Sequence, residues 1–308
     1  MKSMKNILFL LTADIIWGAA FVAQRTGGDA VGAYSFNCIR FLIGALVLLP
    51  VIAIFGQKKK AGAAERRMLL IGGIVCGVAL AIASNLQQVG ITLGSSVGKA
   101  GFLTACYIII VPILGLFMHK KCGWNVGIGV LLALGGLYFL CMQSGSFSLE
   151  KSDILLLLCA LAFAIQILAI DHYAPLVDPI RLSCIEFLVC GLVSAIPMFW
   201  VDMQHSVAGT LVWAQSFTSS GAWIAILYAG ICSSGIGYTC QIMGQRNFNP
   251  TVASLIMSLE SAFSVLFGWL LLHEQLTSRE LIGVLLVFSA IIVAQIPVPH
   301  SKSAKTSH

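Results

Sequence analysis

Five ionisable residues, Asp14, Arg40, Lys99, Glu186 and Glu260, fall inside long apolar runs. A charge at the centre of a membrane helix costs about 2.5 to 3.5 kcal/mol on insertion scales, so such residues face a cavity or one another and mark substrate or ion pathways. Glu260 lies near mid-depth of its run between Ser258 and Ser261. It is the leading candidate for a proton carrier, the alternative being a permanently charged partner for Lys99 or Arg40. Lys99 stands among glycines in Val97-Gly98-Lys99-Ala100-Gly101, with room to bind a carboxylate or phosphate or, alternatively, to snorkel to the headgroups. Arg40 and Glu186 are candidate members of opposing gates. Arg40 as a helix anchor, or as the charge that neutralises Asp14, is the competing reading.

Amides and aromatics add a second layer. Asn85 and Gln88 share one face of a helix at a three-residue offset, as do Tyr238 and Gln241 further along. The face carrying Gln88 is preferred for the cavity, although an internal match pairs Gln241 with Gln87, on a different face. Trp17 and Tyr107 are candidate aromatic walls for a substrate, core packing being their other use.

The elements that must position these side chains are membrane helices. The 308 residues are 58% hydrophobic and 10% charged, against about 25% charged in soluble domains. Apolar stretches occupy 6-23, 34-55, 68-91, 97-118, 125-143, 153-171, 179-201, 220-242, 250-272 and 279-297. Each is long enough to cross about 30 Å of hydrocarbon as a helix. None has the two-residue alternation of an outer-membrane strand. Asp14 and Trp17 interrupt the first run, which reads as a helix rather than a signal peptide.

Connections are short, the longest being 202-219, and no soluble domain is expected. Basic residues concentrate on alternate connections, notably Lys58-Lys59-Lys60, Arg66-Arg67 and Lys120-Lys121, whereas the opposite side holds Arg25, Lys151 and Arg279. By the positive-inside rule both termini are cytoplasmic. The net charge of +6 is then a topology signal and not a nucleic-acid surface.

The chain also repeats itself. Cys38-Ile39-Arg40-Phe41-Leu42 returns as Cys184-Ile185-Glu186-Phe187-Leu188, Gln87 and Gly90 return as Gln241 and Gly244, and His119 with Ile128-Gly129-Val130 returns as His273 with Ile282-Gly283-Val284. The expected halves are 1-148 and 149-298, followed by a short cytoplasmic tail, 299-308. Five helices per half is an odd number, so the second half enters the membrane from the opposite side. The expected fold is therefore all-α and integral to the membrane, ten transmembrane helices in two inverted-topology five-helix repeats, with a site between them. Gly73-xxx-Gly77 and Gly230-xxx-Ser234 are assigned to close helix packing. Pro112 is expected to kink the fourth helix.

Trp17-Gly18 with Phe21, Arg40-Phe41, the stretch from Gly98 to Pro112, and Leu270-Leu271-Leu272-His273-Glu274 followed by Gly283 resemble the EamA-type drug/metabolite transporters across residues 6 to 297. The resemblance implies ten helices around a central cavity and export of amino acids, other metabolites or toxic compounds. Lys120-Lys121 stands where the second half has Glu274-Gln275, so that acidic position has no counterpart in the first half.

The functional expectation is an exporter or exchanger of a small polar metabolite such as an amino acid, working by alternating access and coupled to protons through Glu260. Its setting is the cell membrane of a bacterium. Two other classes compete. An intramembrane hydrolase is suggested by Gly94-Ser95-Ser96-Val97-Gly98, but a GxSxG nucleophile needs a strand-to-helix turn. A scaffold or receptor would carry a large exposed domain. Ten cysteines occur without CxxC or CxxCH spacing, and no nucleotide, metal or EF-hand motif appears, so neither metal nor cofactor is expected. No nucleotide-binding domain is present to drive transport with ATP. Oligomeric state is left open by the sequence.

Overall fold

The computed structural model describes residues 2–55, 62–95, 97–118, 123–141, 150–272 and 277–296. Eight helices in it are long and apolar enough to span a membrane, and two shorter apolar helices, Trp124–Phe139 and Leu281–Ala294, complete ten. The first is Lys2–Val31, the second Ala33–Phe55, the third Ala63–Thr92, the fifth Trp124–Cys141, the sixth Lys151–Tyr173 and the tenth Ser278–Gln295. The seventh runs over Pro179–Pro197 and ends in a wide π turn, Met198–Asp202. The eighth is α-helical at Ser220–Leu227 and Thr239–Gln245 with a π-helical middle, Tyr228–Tyr238.

The fourth and ninth helices are both broken. The fourth consists of Val97–Ala105 and Tyr107–Phe117, the ninth of Pro250–Met257 and Leu259–Leu272. Pro112 lies inside the second of the fourth helix's two segments. The break is at Cys106, where three-residue hydrogen bonds replace the α pattern: Cys106 N–H to the Leu103 carbonyl at 3.3 Å and Ile109 N–H to the Cys106 carbonyl at 3.1 Å. The ninth helix breaks at Ser258 with no proline inside it. There the Ser258 hydroxyl donates to the Leu255 carbonyl at 2.7 Å, a side-chain bond of the kind that bends helices. A matching break in both halves belongs to the repeat and not to one proline.

Packing follows the same symmetry. The first helix lies on the eighth and ninth, and its counterpart, the sixth, lies on the third and fourth. The second packs on the seventh and the fifth on the tenth. One contact occurs twice: a Cβ at Gly244 would stand 2.7 Å from Leu10 Cγ, and one at Gly90 would stand 2.8 Å from Leu156 Cγ. Both glycines permit a helix approach that any side chain would block. The two small-residue motifs also serve packing, Gly77 against the Glu186 carbonyl and Gly230 against Ile43.

The first helix outruns its expected end at 23 by two turns. Arg25 makes this possible by pairing with Asp29 at 3.1 Å and donating to the carbonyls of Ile91 and Ser95, each at 3.3 Å. Gly32, at φ +93°, then turns the chain into the second helix. The connection between seventh and eighth helices contains a short helix, Val207–Ser216, held down at this turn. Asp202 Oδ2 accepts from the Ser35 backbone N–H at 2.7 Å and the Ser35 hydroxyl at 2.6 Å, and Trp213 Nε1 donates to the same hydroxyl at 2.8 Å. Asp202→Ala should loosen this clasp by about 2 kcal/mol, the worth of a hydrogen bond to a charged group. The expected readout is faster hydrogen exchange in 203–219, with the first-helix amides unchanged.

Candidate functional site

A cavity of about 30 Å³ lies between the two halves, room for a water molecule or two. Its wall is assembled from corresponding helices of each repeat. The first, third and fourth supply Trp17, Gln24, Gln87 and Tyr107, and the sixth, eighth and ninth supply Phe163, Ser233, Tyr238, Gln241 and Glu260. On the first helix the wall recurs at 17, 21 and 24, the 3.6-residue period of one helix face. Asp14 continues that face one turn on, fully buried, with neither carboxylate oxygen hydrogen-bonded.

Aromatic rings shape the walls. Trp17 and Tyr238 meet at a tilt of 57° with 4.8 Å between centroids, and Tyr107 meets Phe163 edge to face at 6.5 Å. The indole is anchored where Trp17 Nε1 donates to the Ser233 carbonyl at 3.3 Å, inside the π-helical stretch. Tyr107 donates its hydroxyl to Glu260 Oε1 at 3.5 Å. That bond links the fourth helix to the ninth just past each break.

Five sequence candidates, Trp17, Tyr107, Tyr238, Gln241 and Glu260, thus meet at one cavity. Asn85 and Gln88 do not line it. Gln88 Nε2 donates to the Gln24 carbonyl at 2.8 Å, and Asn85 bridges Asn37 at 2.9 Å and Ser194 at 3.0 Å. The cavity-facing amide of the third helix is Gln87, which donates to Thr104 Oγ1 at 3.3 Å. The preference for the Gln88 face is corrected accordingly: Asn85 and Gln88 tie helices together, and Gln87 matches its repeat partner Gln241. Gln24 and Ser233 were not singled out from the sequence.

Arg40 and Glu186 are fully buried on the second and seventh helices, beside Phe41 and Phe187, whose rings are 6.2 Å apart. Neither lines the cavity. Arg40 Nε donates to Asn37 Oδ1 at 2.9 Å, its guanidinium carbon sits 4.6 Å from the Phe41 ring centroid, and its Nη2 has no partner. It pairs with neither Asp14 nor Glu260, whereas Arg25 pairs with Asp29. Glu186 Oε1 accepts from Gln166 Nε2 at 2.8 Å, and Gln166 Oε1 accepts from Gln241 Nε2 at 3.1 Å. The Lys99 side chain lies outside the described residues, as do Ser96, His119, Lys120, Lys121, His273 and Glu274.

Two repeats of membrane-length helices enclosing a buried cavity with polar and acidic lining define a polytopic membrane protein. The chain belongs to the EamA-like transporter family, whose model matches residues 4–142 and again 150–295. It is 27% identical to an uncharacterized transporter of Archaeoglobus fulgidus, covering 94% of this chain and 86% of that one. It is 22% identical to the uncharacterized transporter YoaV of Bacillus subtilis over 94% and 96% of the two chains. A WAT1-related chloroplastic protein of Arabidopsis thaliana is 25% identical over 94% of this chain and 69% of its own. One solved crystal structure superposes with a TM-score of 0.75 at 16% identity, covering 94% of this chain and 96% of the other, and shares the fold. The protein is a multi-pass membrane transporter of a small molecule, and the Archaeoglobus fulgidus and Bacillus subtilis relatives are likewise named transporters.

Proposed function

We propose that this protein exports or exchanges a small polar metabolite, such as an amino acid, by alternating access around the central cavity, with a proton carried on Glu260. The observation behind this reading is the cavity itself, which joins Glu260 to aromatic walls from both repeats yet holds no more than a water or two. A metabolite then enters only when the halves part, and exchange of the two repeat conformations would open the site to each side in turn. The proposed repeats are 1-148 and 149-298, with 299-308 as a cytoplasmic tail. Inner-side lysines and arginines favour cytoplasmic termini in the cell membrane.

Counterflow in proteoliposomes tests the reading. Vesicles loaded in turn with amino acids, nucleobases and organic acids should take up label of one class saturably, and an imposed pH gradient should drive accumulation. Folded protein that exchanges no class would overturn it.

A further inference from the structure

Four donors of the cavity wall are spent within the protein while acceptors remain open, and the Ser233 hydroxyl, buried without a partner, can serve either way. Trp17 Nε1 is bound to Ser233, the Tyr107 hydroxyl to Glu260, Gln87 Nε2 to Thr104 and Gln241 Nε2 to Gln166. Gln24 Oε1 and Gln241 Oε1 are buried with no donor, and both oxygens of Asp14, one turn beyond the wall, are in the same condition. Among the described residues no lysine, arginine or histidine lines the space. A buried acceptor without a donor costs about 1 to 3 kcal/mol, so this wall suits a ligand that brings several donors and a positive charge.

The direction of the Gln241 amide is not free. Glu186 Oε1 accepts from the NH2 of Gln166, which leaves the Gln166 oxygen facing Gln241. That oxygen in turn takes the NH2 of Gln241 and leaves the Gln241 oxygen for the cavity. All three side chains are almost wholly buried, so water cannot stand in for any link.

We propose that the substrate is held by an ammonium group in this acceptor-lined cavity, and that Glu186, two residues removed, is a positioning residue that keeps Gln241 Oε1 turned toward it. The assignment rests on the transport reading above and narrows its substrate to amines, amino acids included through their ammonium end. The aromatic walls add to the attraction, since Trp and Tyr faces draw a desolvated cation. An anion of the same size would meet Glu260 and two amide oxygens with few donors to offset them.

Calorimetry on the detergent-purified full chain, with butylammonium, butan-1-ol and butanoate as probes, reads binding independently of transport. Wild type should prefer butylammonium to butanoate by about a hundredfold, two hydrogen bonds to a charged group being enough. Glu186→Gln, whose amide can point either way, and Gln166→Leu, which cuts the chain of bonds, should each weaken butylammonium binding about tenfold. The double change Glu186→Gln with Gln241→Glu reverses the Gln166 amide and puts a fixed acceptor at the cavity, and it should bind butylammonium more tightly than Gln241→Glu alone. A structural role for Glu186 leaves that double variant no better than Gln241→Glu alone, and such a result overturns the positioning role. Equal binding of butanoate and butylammonium by wild type overturns the ammonium assignment while counterflow, measured separately, still decides transport.

Discussion

Glu260→Gln should erase proton-driven accumulation while leaving counterflow measurable at a higher half-saturating concentration. With one proton exchanged per substrate, a gradient of one pH unit is worth about 1.4 kcal/mol and sustains about a tenfold concentration ratio. Wild-type vesicles should approach that ratio, and variant vesicles should stay at unity. The reasoning is local. Glu260 lines the cavity and accepts one bond from a neutral hydroxyl, that of Tyr107 at 3.5 Å, so an arriving cation and a proton compete for the same oxygens. Glutamine keeps the size and the bond from Tyr107 but cannot exchange a proton. Retained accumulation in Glu260→Gln would move the coupling role to Asp14, one helix away and without any hydrogen bond, and Asp14→Asn should then remove it.

Much of this architecture is legible in the residues because two independent signals agree. Hydropathy marks ten spans, and the return of Cys38-Ile39-Arg40-Phe41-Leu42 as Cys184-Ile185-Glu186-Phe187-Leu188 fixes five per half. The cavity is partly legible for a different reason. Polar and aromatic groups such as Trp17, Tyr107, Gln241 and Glu260 are conspicuous against an apolar background.

The misses have physical causes. Gln87 and Gln88 are adjacent, and adjacent residues point about 100° apart on a helix. Asn85 and Gln88 form a tidy polar face, but it is consumed by bonds to neighbouring helices. The pairing of Gln87 with Gln241 carried the right answer, because inverted repeats build a shared cavity from equivalent positions. Gln24 lies on the same periodic face as Trp17 but one residue past the expected end of the first helix. Ser233 lies in a π-helical stretch, whose wider turns defeat a 3.6-residue projection. The fourth-helix break lies at Cys106, where three-residue backbone bonds replace the α pattern, which a search for proline does not see.

Arg40→Met is expected to leave thermal stability within about 1 kcal/mol of wild type, or raise it, and to reduce counterflow at least tenfold. The guanidinium is 1% exposed. Against an insertion cost of about 2.5 to 3.5 kcal/mol it has one bond to a neutral amide, worth about 1.5 to 3 kcal/mol, and a ring contact worth about 0.5 to 2 kcal/mol. These roughly cancel. Methionine fills a comparable length between Phe36 and Phe41 and removes both sides of the balance, as apolar replacements of buried charges often do. A cation with so little net effect in this conformation, and with Nη2 still unpartnered, has its use in the other one. Glu186, at the matching place in the second half, has an unpartnered oxygen of its own and sits on the helix that packs against the second. An ion pair formed only when the halves rearrange would stabilise the alternate state and set the rate of exchange. Arg40→Met protein that is as stable as wild type and transports as fast would reduce Arg40 to a helix anchor. Stable protein with slow counterflow, restored in part by Arg40→Lys, would place the charge itself in the conformational cycle, because lysine keeps the charge and gives up the Nε geometry toward Asn37.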